Sequence, residues 1–317
     1  FRKLGYVRIK PLPPLTRVRS PHGTSSPRTT APVRGCKSTV FAAAGPHERL
    51  AALSAPYALC HQDPWDRLTC SAPEDTRAML ARDWGVRSRI DLLTQIFWLA
   101  TSGHRSDFDE ERARWSNTSL AEAERYELRG TSESSQNAAE TLWRLERMRS
   151  NDRGIRNVDF SAWDLVRAAM LTRCGFALSW LTEDEAWDTL ALLDRALRER
   201  YRSWTQAWES FRLTRWYWNS ESGEGEHAND LHDLNRSLVL LGSDGPWGLV
   251  AWEIDTPEPS LLILDDLLDV GVAAPLSAGE RERATQWERW INDQVVLRRQ
   301  RRLQQFGTHP KWRHRFT

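Results

Sequence analysis

Two charged pairs sit where side chains of their kind can do chemistry. Asp164 and Arg167 lie three residues apart in "SAWDLVRAAMLTRCGF", among Trp163, Leu165, Val166, Ala169, Met170 and Leu171. That spacing puts both on one helix face. A carboxylate and a guanidinium in a polar pocket would bind an anion or orient a base. The structural alternative makes Asp164 a cap on the N-terminus of its own helix, where an acid suits the dipole. Arg167 would then tie that helix to a neighbour. A buried ion pair is weak evidence for stability, because desolvation offsets the attraction. The capping role is preferred for Asp164, whereas Arg167 has no local explanation.

His104 and Arg105 follow Gly103, just past a helix end. A cation there suits the carbonyl end of the dipole. The sharper expectation is His104 as general acid–base and Arg105 as holder of a carboxylate or phosphate. Nothing beside His104 is an obvious nucleophile. The catalytic candidates are therefore His104 and Asp164, with no catalytic residue assigned. The candidate binding residues are Arg105, Arg167 and Trp163. Asp91 opens the helix that His104 follows. About 13 residues at 1.5 Å each put it roughly 20 Å away, so Asp91 is expected to be a cap.

Two other clusters carry ligand-type residues. His227 and His232 lie near Glu224, Glu226, Asp230 and Asp233, but the spacing fits neither HExxH nor an EF-hand. A polar loop over 219–230 is the expectation. Cys60, His61 and Cys70 lack the closely spaced ligand pairs of structural zinc sites. Neither a metal nor a cofactor is expected. The chain has no P-loop, GxGxxG, GxSxG or kinase set, which disfavours the common nucleotide and serine-hydrolase chemistries.

The elements holding these residues should be helices. Ser88–Asp91, Ser161–Asp164 and Thr182–Glu185 each resemble a capping box. Gly103 and Gly175 are expected stops. Trp187, Leu190, Ala191, Leu197, Tyr201, Trp204, Trp208 and Phe211 recur at steps of three and four, which reads as one long helix with a buried stripe. Trp216, Tyr217 and Trp218 near its end are either an exposed partner patch or packing under the next loop, and packing is preferred. Short apolar runs broken by Gly242, Gly245 and Pro246 suggest at most a small β-hairpin near 237–254. A further helix is expected from Ser277, carrying Trp287, Trp290, Ile291 and Val295. The fold class is mainly α, a multi-helix globular domain.

Seventeen Trp demand many partners for indole N–H groups. The net charge of +1 hides an asymmetry: residues 1–47 carry nine Lys/Arg and no acid, residues 298–317 carry seven and none, and the stretch between is −15. An acidic body is a poor nucleic-acid surface, so no nucleic acid is expected there. No apolar run reaches ~18 residues, so no membrane partner is expected. Four unpatterned Cys suggest reduced thiols and a cytoplasmic setting. The expected organisation is a disordered basic extension over 1–47, an α domain over 48–255, a helical extension over 256–306 and a basic tail over 307–317.

Three stretches taken together, "WGVRSRIDLLTQIFWLATSGHRSDFD" (84–109), the run from Ser161 to Trp208 and "GPWGLVAW" (245–252), resemble the bacterial domain-of-unknown-function family 1266. The matching pattern is Trp84-Gly85, then Gly103-His104-Arg105, then Ala162-Trp163-Asp164 with Arg167, then Glu185-Ala186, Ser203-Trp204, Pro246-Trp247 and Trp252. It covers roughly residues 60–255. The resemblance implies a fold and no reaction. The expected function is a non-enzymatic interaction or regulatory, immunity-like module with a protein partner. The alternative is an enzyme or small-anion binder using a pocket of His104, Arg105, Asp164 and Arg167.

Overall fold

A computed structural model describes residues 44–70, 72–117, 119, 135–220, 223–263 and 266. The helices in chain order are α1 (Pro46–Ala52), α2 (Ala55–His61), α3 (Pro73–Met79), α4 (Arg89–Thr101), α5 (Gly103–Trp115), α6 (Ser135–Ser150), α7 (Ser161–Ala177), α8 (Glu183–Arg200), α9 (Trp204–Asn219), α10 (Glu224–Leu241) and α11 (Pro246–Leu249). No strand occurs among the described residues. The fold is mainly α, and the hairpin considered near 237–254 is instead the end of α10, a turn and α11.

The hub is α7. Every residue from Ser161 to Gly175 is buried, and α4, α8 and α9 pack around it. A helix buried on every face must be enclosed by others, and its polar side chains must find partners there. Gly175 does not stop α7, which runs on to Ala177. It serves the packing: a Cβ there would lie 2.3 Å from Leu92 Cδ2 of α4. The chain turns after α7 at Ser179, whose φ is +58°.

The Thr182–Glu185 capping box forms, with Glu185 N–H donating to Thr182 Oγ1 at 3.2 Å and Thr182 N–H to Glu185 Oε2 at 2.8 Å. At α4, Asp91 N–H donates to Ser88 Oγ at 3.3 Å and the Asp91 carboxylate accepts from Arg87 N–H. The stripe read as one helix is two, α8 and α9. Tyr201 adopts extended backbone, and Ser203 Oγ accepts from Gln206 N–H to start α9. The Tyr201 hydroxyl explains the break: it accepts from Ala162 N–H at 2.9 Å and meets Ser210 Oγ at 2.8 Å. The apolar period passes through unchanged while the backbone changes direction.

Indole groups are used as structure. Trp204 donates to the Val250 carbonyl and Trp247 to that of Ala52, both at 2.8 Å. The two rings stack with centroids 4.9 Å apart. Arg49 lies over Trp204 and Trp252 and pairs with buried Asp194 at 2.8 Å. Trp216 and Tyr217 are buried, in a second cluster with Phe108, Trp115, Trp143 and Phe160. That excludes them as an exposed patch.

The segment beyond 253 follows α8 backwards. Arg198 donates to the Ile254 carbonyl, and the Asp188 carboxylate accepts from Leu262 N–H at 2.7 Å. Leu261 and Ile263 join the main core. The expected 277–295 helix, the basic tail and nearly all of the N-terminal extension lie outside the described residues.

Candidate functional site

The site begins with a corner. Helix α4 ends at Thr101 and α5 begins at Gly103, so carbonyls and N–H groups of opposite dipole sign meet within a few residues. Gly103 makes the corner with φ +58°. Ser102, the N-cap of α5, makes no side-chain capping bond.

Asp164 supplies that cap from α7. Its Oδ1 accepts from His104 N–H at 3.2 Å and its Oδ2 from Arg105 N–H at 3.0 Å. This corrects the expectation that Asp164 caps its own helix. There, Ser161 N–H is held by Asp159 Oδ1 at 2.8 Å, and buried Ser161 Oγ has no partner. An Asp at the third position of a helix reads the same in sequence whichever N-terminus it serves.

Arg105 answers the other half of the corner. Its guanidinium donates to the Leu99 and Ala100 carbonyls at 2.7 and 2.8 Å, and to Asp164 Oδ2 at 3.1 Å. The expected cation at the end of α4 is therefore Arg105, which is also in the first turn of α5.

Arg167 reaches His104. Its Nη1 lies 3.0 Å from His104 Nδ1 and 4.0 Å from Asp164 Oδ1. The guanidinium carbon sits 4.5 Å from the Trp84 ring centroid and 4.8 Å from that of Trp163. A guanidinium has no acceptor, so His104 Nδ1 accepts and the neutral ring carries its proton on Nε2. Asp164 Oδ1, 3.5 Å from the same nitrogen, would become its partner only on protonation. Trp98 closes the ring from its edge at 4.9 Å.

Burial lowers the His104 pKa and Arg167 lowers it further, outweighing Asp164. Burial alone would raise that of Asp164, but His104 and Arg105 together hold it below the usual carboxylate value. Burial lowers Arg167. At neutral pH the set is a carboxylate, a neutral imidazole and two guanidinium groups, each facing a partner.

The structure thus brings together His104, Arg105, Trp163, Asp164 and Arg167. Trp84 completes the Arg167 stack and was legible only as the start of the "WG" motif. His104 has a proton-accepting nitrogen, yet it is spent on Arg167. Neither the cavity beside Arg173 nor the groove beside Pro257 is lined by these side chains. The arrangement cross-links three helices.

The supposed loop 219–230 holds most of the first half of α10. Three acids of α10 are engaged: Glu226 accepts from Trp216 Nε1 at 2.8 Å, Asp230 pairs with Arg153 at 2.6 Å and Asp233 with Arg215 at 2.8 Å. Burial lowers His232 to about 4. Among the described residues no His, Cys, Asp or Glu group of three has metal-binding geometry.

Helix α10 also has a bare edge. Leu231, Leu234, Leu238 and Val239 are 53, 56, 67 and 53 % exposed. The leucines follow at steps of three and four, continuing an edge that starts with exposed Glu224 and His227. Elsewhere among the described residues only Leu262 is a comparably exposed large apolar side chain. No described helix is long and apolar enough to cross a membrane.

Residues 79–252, just over half of the chain, match the family described as "Protein of unknown function (DUF1266)". The chain is similar to the uncharacterized protein YbeU of Escherichia coli (strain K12), 29 % identical over 207 residues, covering 62 % of this chain and 79 % of YbeU. It is also similar to the uncharacterized protein YbeR of the same strain, 32 % identical over 156 residues, 49 % of this chain and 62 % of YbeR. No solved structure matches.

Proposed function

The chain belongs to the DUF1266 family of proteins of unknown function, and from that premise we propose that it is a non-enzymatic interaction module working through α10. The partner is a protein presenting an amphipathic helix, apolar along one face and basic at one end. The carrying observation is the leucine edge of α10, whose spacing suits a helix laid alongside it. A row of exposed leucines on one face marks an interaction site rather than scattered surface.

Charge favours a basic partner. The edge begins at exposed Glu224, and residues 48–297 carry a net −15. A basic end beside Glu224 is favoured, and an acidic one is repelled. Covering the exposed half or so of four such side chains at ~1 kcal/mol each gives about 4 kcal/mol. Association costs about 4–15 kcal/mol, so the surface suits reversible, regulatory binding. A bacterial cytoplasmic setting belongs to the same proposal and is supported by the free thiols of Cys60, Cys70 and Cys174.

The test places a photo-crosslinking amino acid at Leu234 in the full chain. The probe is a synthetic helical peptide with a leucine face and a lysine-rich C-terminal end. Crosslinking to the peptide, weakened when its lysines become glutamates, is the expected result. Crosslinks confined to α10 of a second copy, to residues 267–317 of this chain, or to nothing would overturn the partner assignment.

A further inference from the structure

Away from the α10 edge, a cavity of about 10 Å³ lies between α2, the 62–70 segment and α7, lined among others by Cys70, Cys174, Arg173, Met170, His61 and Asp63. It has room for about one water. We infer that Cys70 and Cys174 form a peroxide-sensitive dithiol that closes to a disulfide across this cavity.

The pair is asymmetric in a useful way. Cys70 is half-buried and reachable, whereas Cys174 is buried in α7, its Sγ 3.6 Å from Met170 Sδ. The neighbouring Cys174 lowers Cys70 against its burial, with Arg173 helping, while Cys70 and burial raise Cys174. Cys70 is the group that reaches the thiolate first, and the thiolate is the nucleophile.

Arg173 supplies the second, independent feature. It is 3 % exposed and lines the same cavity. It donates to Ser54 Oγ at 2.8 Å and to the carbonyls of Pro64 and Thr69. Its Nε has no hydrogen-bond partner. A buried cation held beside two thiols by the residue preceding one of them favours an anion at that point. The same bonds fix the end of the 62–70 segment against α7 and so hold Cys70 at the cavity that Cys174 also lines.

The chemistry balances with hydrogen peroxide as oxidant. The Cys70 thiolate attacks one peroxide oxygen; an S–O bond forms, the O–O bond breaks and hydroxide leaves, to be protonated to water. Cys174 sulfur then attacks the Cys70 sulfenic sulfur; the S–S bond forms, the S–O bond breaks and hydroxide leaves with the Cys174 proton as a second water. Two thiols lose two electrons in total, and one peroxide becomes two waters.

The full chain is treated with increasing hydrogen peroxide, blocked with an alkylating reagent and digested without reductant. The expected product is a Cys70–Cys174 disulfide, reversed by dithiothreitol, forming on the order of tenfold faster than Cys60 is oxidised. In Cys174→Ser, Cys70 should be trapped as sulfenic acid by dimedone. In Cys70→Ser, Cys174 should stay alkylatable. Full alkylation of Cys70 and Cys174 after peroxide has oxidised Cys60 would overturn the inference, as would disulfides linking either to Cys36 or Cys60 instead. The wild-type experiment stands alone if a variant does not fold.

Discussion

Gly103 and Asp164 are matched across 61 positions of sequence: a Cβ on residue 103 would lie 2.1 Å from Asp164 Oδ2. The glycine does two things at once. It adopts a left-handed backbone that other residues enter at a cost, and it leaves the space through which the carboxylate reaches the first N–H groups of α5. Gly103→Ala should therefore destabilise by about 2 kcal/mol or more. Urea denaturation of the two proteins measures it; a change under ~0.5 kcal/mol would mean that the corner relaxes without help from Asp164.

Asp164 should be costlier to lose. Asp164→Ala leaves the α5 N-terminus uncapped and the Arg105 and Arg167 charges buried without their carboxylate. Breaking one side of a buried pair costs about 3–5 kcal/mol. Asp91→Ala, at an exposed cap, should cost only about 1 kcal/mol. Equal losses in a denaturation series would remove the special place given to Asp164.

The His104 environment sets a pH dependence. Its native pKa lies below the ordinary 6.5, so below that value the unfolded chain takes up a proton that the folded chain refuses. Stability should therefore be full above about pH 6.5 and fall as pH drops towards the native pKa, by at most ~1.4 kcal/mol per pH unit from this one group. His104→Gln should flatten that part of the profile. Its persistence in the variant would assign the slope to His61 and His232, which are lowered too.

Arg167 should not tolerate its nearest chemical relative. Lysine keeps the charge but loses the planar group that fills the space between Trp84 and Trp163. Arg167→Lys is expected to cost about 1–2 kcal/mol and to change Trp fluorescence. An unchanged emission spectrum would argue against the stack.

Sequence reasoning reached further for the site's membership than for its wiring. His104, Arg105, Asp164 and Arg167 do converge, because their helices are strongly punctuated and their surroundings strongly apolar. Which helix Asp164 caps is a tertiary fact: the pattern Ser161-x-x-Asp164 satisfies the local rule while the side chain turns to α5. The break between α8 and α9 hides for a similar reason. Tyr201, Trp204 and Trp208 keep the helical period, and only the Tyr201 hydroxyl, bonded to Ala162 and Ser210, shows why the backbone bends. Helix α10 was masked by Gly225 and a run of polar residues. Its leucine edge was invisible as an exposed feature, since the sequence alone gives an apolar stripe no reason to face outward.

The most direct measurement is the affinity of the basic-ended leucine peptide for the wild type and for Leu234→Asp/Leu238→Asp, by calorimetry at matched salt. Both substitutions lie on exposed positions, so folding stability should change by no more than ~0.5 kcal/mol. Affinity should fall at least about tenfold, the equivalent of ~1.4 kcal/mol. Equal affinity in the two proteins, or no binding to the wild type, would contradict a docking role for α10.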